Sequence, residues 1–439
     1  MTNQENKRNM LLKGGLVLAL SLILLIPLQL VRGLIQERQI RKSEVLEAIG
    51  STWGLEQQIK GPVLAVHYVN RKAVTFRDNA GKAQTRTEEY PDIMYLAADQ
   101  CDMQVLANPE IRKRSIFETV LYEAQASLNG SFAGLADRMG DLKEADINWE
   151  ETELILGLSD LRGLKGNPDI LVNGKPVHFE GSVALDVAFG QAVKAPLRLS
   201  KKPDSLSFTI DFSVKGSGRL SFVPLAKNNF AQVSSSWESP SFDGSFLPDN
   251  RVVDSSGFKA EWRISQLNRN LPDRWKKADL NDYEATAFGV SLIQPNDNYQ
   301  KSERSVKYGV LIIALTFLSF FFVELLTGQR VHTFQYVLIG SALCIFYTLL
   351  VSISEYLMFN TAYAISSVMV LAMIWLYARS LLGKLRLSTL LTSVLTGLYI
   401  YVFSIIQLED SALLAGSLGL FFILALTMYF SRKIDWGNL

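Results

Sequence analysis

Residues 308–326 carry the sequence YGVLIIALTFLSFFFVELL, an apolar run with one ionisable carboxylate, Glu324. A helix of this length can cross about 30 Å of hydrocarbon. Comparable apolar runs follow it, at 334–352, 361–382, 387–407 and 411–430. We therefore predict a five-helix transmembrane bundle over residues 304–430, followed by a tail at 431–439.

A further apolar run lies near the start of the chain, at 14–35. Lys7, Arg8 and Lys13 precede it, which would also suit a signal peptide, but no small-x-small cleavage pattern follows it. We interpret the run as an uncleaved transmembrane anchor and residues 1–13 as a cytoplasmic N-terminus.

The charges in the short loops predict the orientation of the bundle. Cytoplasmic loops of membrane proteins are enriched in Lys and Arg. The basic residues fall in every second loop, and therefore on one side of the membrane, at Arg330, at Arg379, Lys384 and Arg386, and at Arg432 and Lys433. The loops between them contain Glu355, and Glu409 and Asp410, but no Lys or Arg. We therefore expect a multi-pass protein of the bacterial inner membrane with both termini in the cytoplasm. Lys301, Arg304 and Lys307 oppose this orientation, but they adjoin a long domain that would be translocated regardless of its charge.

The central region, residues 36–303, is predicted to be a periplasmic, antiparallel β-rich domain of sandwich-like form. In residues 206–214 apolar and polar side chains alternate, as in a strand with one face on a core. The alternation restarts at Leu220 after Gly216-Ser217-Gly218, which predicts a hairpin. Similar alternation occurs at 122–128, 258–264 and 286–292, and Asn173-Gly174 predicts a type I′ turn. Helices are expected in a stalk at 36–58 and at 131–142.

Composition excludes several function classes. A net charge of +1 is too small to attract nucleic acid electrostatically, so DNA and RNA are excluded as partners. The two cysteines fall in different regions, so no disulfide is expected. Neither the three histidines nor the serines lie in a metal, hydrolase or nucleotide motif. We predict no metal, no cofactor and no enzymatic activity.

A loop rich in aromatic residues is the candidate binding site of the central region. The loop has Trp237, Phe242 and Phe246 interleaved with Pro240, Gly244 and Pro248, and Asp243 and Asp249 would be its polar contacts. Such a loop could bind a periplasmic or inner-membrane protein or a glycan. The alternative interpretation is that its rings close one end of the β-sheet core.

Acidic residues at the membrane form a second group of candidates. Glu324 lies within an apolar run, where an ionised carboxylate costs about 2.5–3.5 kcal/mol, so it is expected to face another helix, water or the headgroups. Glu355, Glu409 and Asp410 fall at predicted helix boundaries. The alternative for Glu324 is a side chain that simply reaches the headgroups, and for the other three acids it is that they reflect only charge bias and helix ends.

Several motifs in order resemble the CreD family of bacterial inner-membrane proteins. They are RKRSIFET at 112–119, WESPSFDGSFLP at 237–248, GFKAEW at 257–262, YQKSERSVKYG at 299–309, EDSALLAG at 409–416 and RKIDW at 432–436. The chain departs from the family pattern at Ser354-Glu355-Tyr356, where the family has Ser-Glu-His. The resemblance implies a role in envelope integrity, with links in relatives to a two-component system, the β-lactam response and colicin tolerance. It implies no catalytic residues.

Three functions are open at this point. The first is a non-enzymatic envelope protein whose periplasmic domain binds a partner or ligand while the helices anchor it in the lipid bilayer. The second is a transporter or permease-like protein, and the third is a periplasm-facing envelope enzyme.

Overall fold

The computed structural model describes residues 3–77, 83–140, 142–178, 184–186, 189–269, 271–276, 283–292, 298–327, 331–408 and 411–432. The chain divides into two compact units. One, the helical unit, contains Met1–Ser43 and Asn296–Leu439, and the other, the β-rich unit, contains Glu44–Pro295.

The α-helices within the described ranges are α1 (Asn3–Ile23), α2 (Leu25–Trp53), α3 (Leu135–Arg138), α4 (Gln266–Arg269), α5 (Asn298–Lys307), α6 (Gly309–Thr327), α7 (Thr333–Ser354), α8 (Phe359–Leu382), α9 (Leu385–Gln407) and α10 (Ala412–Ser431). Single turns of 3-10 helix lie at Glu144–Asp146, Leu161–Gly163 and Tyr283–Thr286.

An N-terminal apolar helix and a C-terminal bundle of apolar helices are both present, as predicted. Lys13–Trp53, α7, α8 and α9 are each long and apolar enough to cross a membrane. Helices α5 and α6 meet that test as a pair bent by 42°, and α10 is apolar over the shorter stretch Leu414–Tyr429. That α6 and α10 both cross the membrane stays a prediction.

The outward faces of these helices are apolar. Large side chains that the helical unit leaves exposed include Leu18, Ile26, Leu30, Val368, Leu376, Ile400 and Phe421. Many large exposed apolar side chains of this kind are unfavourable in water and are stable in lipid.

Small residues let the N-terminal helix approach the bundle closely. A Cβ at Gly309 would lie 3.1 Å from Leu28 Cδ1 and 3.2 Å from Tyr347 Cζ, and Gly340 faces Leu24. Close packing of this kind favours helix association in lipid, where the hydrophobic effect contributes little between helices.

The helix that contains the anchor is longer than a membrane is thick. Lys13–Trp53 has 41 residues, or about 60 Å at 1.5 Å per residue. Helix α2 remains helical to Trp53, whereas Gln57 and Gln58, at the end of the predicted stalk, already belong to the first strand.

The described strands are β1 (Gln57–Arg77), β2 (Ala83–Ala97), β3 (Gln100–Arg114), β4 (Phe117–Ala133), β5 (Ile147–Leu158), β6 (Leu164–Val172), β7 (Lys175–Val177), β8 (Ala184–Asp186), β9 (Gly190–Pro196), β10 (Ser205–Ser217), β11 (Arg219–Val223), β12 (Asn228–Ser235), β13 (Pro240–Gly244), β14 (Asn250–Asp254), β15 (Gly257–Ile264), β16 (Arg274–Lys276) and β17 (Phe288–Leu292).

These strands form two sheets. The first has the order β13-β17-β11-β1-β5-β9-β8, with β2 pairing with β1 and β16 with β2. The second has the order β14-β15-β12-β3-β4-β10-β6-β7. The pairings are antiparallel except β1 with β11 and β3 with β12. One cluster of buried side chains draws on both sheets, among them Leu64, Phe222 and Phe288 from the first and Leu128, Ile210 and Trp262 from the second.

The predicted strand at 206–214 lies within β10, where buried and less buried positions alternate along the strand. The turn at Asn173-Gly174 is also confirmed: it joins β6 to β7, and the two residues have φ of 49° and 73°. Both φ values lie in the left-handed region that a type I′ turn requires.

The hairpin predicted at Gly216-Ser217-Gly218 is wrong. Strand β10 pairs with β4 and β6 in the second sheet, whereas β11 pairs with β1 and β17 in the first. The chain changes sheets at Gly218, whose φ is 68°. Alternation gives the face that a strand buries but not its partner, and here both strands bury side chains in the same core.

The helix predicted at 131–142 is largely wrong. Strand β4 continues to Ala133, and only Leu135–Arg138 forms a short helix. Phe132 and Leu135 are buried in the shared core, so tertiary packing overrides the weak helical pattern.

Candidate functional site

The aromatic residues of the candidate loop pack against the core. Strand β13 pairs with β17 and carries Phe242, whose ring lies edge-to-face on Phe258 at 5.7 Å and on Trp262 at 5.9 Å between centroids. Phe246 makes a similar contact with Phe288 at 6.2 Å. Trp237, Phe242 and Phe246 are each half-buried at the margin of the core.

Hydrogen bonds hold the backbone of the same loop. Trp237 Nε1 donates to the Ser239 carbonyl at 3.1 Å, and Trp262 Nε1 donates to the Phe246 carbonyl at 3.2 Å. Trp262 thus buries its apolar ring and Trp237 buries part of its ring, while the N–H of each indole is paired. The first bond lies within the loop, and the second ties the loop to β15.

Both acidic residues of the loop have protein partners. Asp243 accepts from Arg219 Nε at 2.9 Å, pairs with Arg219 Nη2 at 2.6 Å and accepts a hydrogen bond from the Ser291 hydroxyl. Asp249 accepts from the backbone N–H of Arg263 at 2.6 Å. These carboxylates fasten the loop to β11, β17 and β15.

The contacts of the loop match the interpretation in which its rings close the end of the core, while binding by the loop stays a prediction. The residue of the loop with the most accessible apolar surface is Leu247, with 67% of its surface exposed. A partner would meet Leu247 and the outer edges of the three rings.

In the helical unit, Glu324 is paired. Lys13, on α1, forms an ion pair with Glu324 on α6, and the Tyr336 hydroxyl lies 3.4 Å from the second carboxylate oxygen. The Glu324 side chain is only 12% exposed. It therefore faces another helix and a cation, which is one of the environments that the sequence predicted.

Glu355 has an analogous environment at the end of α7. Its Oε1 lies 3.3 Å from Arg38 Nε on α2 and 3.4 Å from the Tyr299 hydroxyl on α5. Next to it, the Asn298 amide donates to the carbonyls of Ser354 and Leu357 at 2.7 and 3.2 Å, and its oxygen accepts from the Phe359 N–H. Asn298 thus satisfies backbone groups at the end of α7 and the start of α8.

A third ion pair was not predicted. Arg32 on α2 lies 3.4 Å from Glu303 on α5, and Lys307 lies 3.3 Å from the same carboxylate. The sequence feature that could have predicted this pair is Arg32 itself, because a charge within an apolar run requires a partner or a position at the interface. Glu409 and Asp410, the remaining predicted acids, lie outside the described residues.

Together the three ion pairs form a series, which we call the anchor ion pairs: Lys13 with Glu324, Arg32 with Glu303 and Arg38 with Glu355. In each, the cation comes from α1 or α2 and the acid from α5, α6 or the end of α7. The arrangement pairs each of these cations with an acid and links α1 and α2 to the other helices of the helical unit. It brings no cluster of three or more potential metal ligands together among the described residues.

Comparison with known proteins identifies the family. The profile of the family described as "Inner membrane protein CreD" matches residues 9–437. The inner membrane protein CreD of Escherichia coli (strain K12) is 32% identical over 419 residues, covering 94% of this chain and 91% of that protein. The chain belongs to the CreD family. The resemblance found in the motifs is thereby confirmed, and so is the assignment to the inner membrane.

The family model and the Escherichia coli relative are both described as inner membrane proteins. Among solved structures, an M1 zinc metallopeptidase from Deinococcus radiodurans and a mutant of it align at 9% identity with TM-scores of 0.20 and 0.21. They cover 45% of this chain and 42% of the peptidase. A likeness this weak carries no argument about fold or activity.

Proposed function

We propose that this CreD protein is a non-enzymatic protein of the inner membrane that supports envelope integrity or the response to envelope stress. In this proposal the β-rich unit faces the periplasm and binds a partner, and the helical unit anchors it. The observation that carries the proposal is the organisation of the chain. A β-rich unit of 44–295 is joined at both of its ends to apolar helices, in a chain that belongs to an inner membrane family.

The β-rich unit suits a binding role. We infer that its two sheets pack as a sandwich, because a single buried cluster contains side chains from both. In a sandwich, loops gather at the ends of the sheets, where they are free to vary and to bind. The aromatic loop around Leu247 is one such loop.

Reporter insertions test the orientation. Alkaline phosphatase inserted at the exposed Asn173-Gly174 turn should be active, because the enzyme matures only in the periplasm. The same reporter inserted between Gly383 and Lys384, in the loop between α8 and α9, should be inactive. Activity at the second position and none at the first would refute a periplasmic β-rich unit.

Site-specific crosslinking tests partner binding by the loop. A photoreactive amino acid at Leu247 should give a specific adduct in cells, identified by mass spectrometry. Leu267 on α4 is a matched control, since it is 93% exposed in the same unit but lies outside the loop. The adduct should be lost in a Trp237→Ala variant that retains the β-sheet circular dichroism. Equal crosslinking from Leu247 and Leu267 would show that the loop is not the binding site.

A transporter is the second candidate, favoured by one observation in the bundle. The hydroxyls of Ser302, Ser305, Tyr347, Ser366 and Tyr399 are buried and have no partner among the described residues. Buried hydroxyls in lipid are expected to be hydrated or to contact a polar substrate. Proton flux into proteoliposomes that is abolished by Glu324→Gln would favour this candidate, and no flux in the unmodified protein would exclude a proton pathway.

A further inference from the structure

A cavity of about 560 Å³ opens on the outward face of the second sheet, away from the shared core. It extends over five adjacent strands, β12, β3, β4, β10 and β6. Pockets for small molecules and short oligomers have volumes in this range. The cavity lies entirely within the β-rich unit and is distinct from the aromatic loop.

The strand register aligns polar side chains along the cavity. Gln232, Gln104, Ser127, Asp211 and Asp169 are consecutive cross-strand partners from β12 to β6. They form a first row that is perpendicular to the strands. Since neighbouring strands are about 4.8 Å apart, the row is about 19 Å long.

A second row lies beside the first. Ser234, Leu106, Gln125, Ser213 and Lys165 are paired in the same order. The two rows therefore present amide, hydroxyl and charged groups side by side, and the second row includes one aliphatic side chain, Leu106.

A bulge in β6 adds a further amide. The register of β6 against β10 shifts between Asp169 and Lys165, and Gly166 in the shifted segment has a φ of 74°. The extra residues bring Asn167 to the cavity lining. Bulges commonly redirect side chains beside binding sites.

The amides of the cavity are available to a ligand. Gln104, Gln125 and Asn167 are exposed, and their side chains make no hydrogen bond to any part of the chain that the structure describes. Each carboxamide offers two donors and an acceptor. Several such groups at fixed spacing match a ligand that carries many hydroxyl groups.

The charges in the cavity disfavour a polyanion. Lys165 is its one cation among the described lining residues, and it is paired with Glu123 at 2.6 Å. Asp169 and Asp211 leave the lining with a formal charge of −1. Carboxylates accept hydrogen bonds from hydroxyl donors, whereas they repel phosphate and sulfate.

The position of the cavity also disfavours an extended peptide. Peptides bind to sheets mainly by adding a strand at an edge. Along the cavity, β12, β3, β4 and β10 each pair with a strand on both sides, whereas the described pairing of β6 with β7 covers only residues 170–172. A strand added at the outer edge of β6 would run along one side of the cavity and would not extend across the other four strands, so recognition across the cavity must use the side chains.

We propose that this cavity binds a neutral, extended oligosaccharide that lies across the strands along the two rows. Amides and carboxylates make the hydrogen bonds to its hydroxyls, and Leu106 contacts an apolar face of a sugar ring. The inference rests on the proposed function in one respect only, which is that the oligosaccharide would be bound in the periplasm. Binding by the purified protein is independent of orientation, so failure of one proposal does not imply failure of the other.

Titration calorimetry of the full chain in nanodiscs tests the proposal, with chitohexaose and cellohexaose as neutral probes and heparin as a polyanion. We expect saturable binding of at least one neutral hexasaccharide and none of heparin. Gln104→Ala combined with Gln125→Ala should weaken binding about tenfold or more, since several hydrogen bonds are lost.

Gln100→Ala is the matched control. Gln100 is an exposed glutamine on the same strand, outside the cavity, with its amide bonded to Asp102 at 2.9 Å. This variant should bind like the unmodified protein. The proposal is overturned if neither hexasaccharide binds, if heparin binds in their place, or if the double variant and the control lose affinity equally.

Discussion

Asp160 accepts hydrogen bonds from the segment that connects the end of α2 to the first sheet. Its carboxylate accepts the backbone N–H groups of Leu55 and Arg162 at 3.0 and 3.1 Å, and the Arg162 guanidinium at 2.9 Å. Its carbonyl accepts from Gln57 Nε2 at 3.0 Å. Burial alone would raise the pKa of Asp160, but the bonds from Arg162 and Leu55 outweigh burial and hold that pKa below its ordinary value.

We expect Asp160→Asn to lower the free energy of unfolding of the β-rich unit by about 1–3 kcal/mol at neutral pH. Because the folded-state pKa is depressed, this contribution is present above the unfolded-state pKa and is lost as the pH falls through the folded-state value. The difference in melting temperature between the two proteins should therefore shrink toward acid pH. Asp169→Asn, at an exposed aspartate of β6, should show little effect. A difference that stays constant from neutral to acid pH would contradict the role of the carboxylate.

At the scale of elements, the passage from β10 to β11 depends on Tyr122. Its hydroxyl donates to the Arg219 carbonyl at 2.7 Å, at the start of β11, and its ring lies where a Cβ on Gly216 would be. Tyr122 is almost fully buried. One side chain of β4 thus secures the point at which the chain leaves the second sheet for the first.

We expect Tyr122→Phe to lower the free energy of unfolding by about 1 kcal/mol or more, since the Arg219 carbonyl loses its donor. Gly216→Ala should cost more, because the added methyl group collides with the Tyr122 ring. Denaturant titration followed by circular dichroism measures both. Tyr90→Phe, at an exposed tyrosine of β2, is the control. Equal stability of Tyr122→Phe and the control would show that the Tyr122 hydroxyl does not stabilise the passage from β10 to β11.

The sequence predicts the positions of individual strands better than it predicts which strands pair with each other. Alternation located β10 and the core of β15 because period two follows from the geometry of a single strand. Alternation could not show that β10 pairs with β4 and β6 while β11 pairs with β1. A hairpin of β10 with β11 would bury the same side chains of these two strands. The same limit applies to the aromatic loop. Its residues were identified by composition, but the packing of Phe242 on Trp262 depends on a tertiary contact.

At the scale of the molecule, the two ends of the chain form one unit although the β-rich unit separates them in sequence. Residues up to Ser43 and from Asn296 onward belong together, and the anchor ion pairs join them. Hydropathy predicted the individual helices, but no local pattern could pair Lys13 with Glu324, which are 311 positions apart. What the sequence did show is that Glu324 needed a partner.

A charge exchange tests whether the pair between Lys13 and Glu324 holds the N-terminal helix to the bundle. Lys13→Glu or Glu324→Lys alone places like charges together in a poorly hydrated site, so each should lower the melting temperature of the protein in nanodiscs. The double exchange should recover most of the loss, with a coupling free energy of about 1–3 kcal/mol, between the values for exposed and buried pairs. The same exchange at Arg32 and Glu303, which are more exposed and 3.4 Å apart, should give a smaller coupling. Additive effects at both pairs would mean that packing at Gly309 and Gly340, rather than charge, sets the position of the helix.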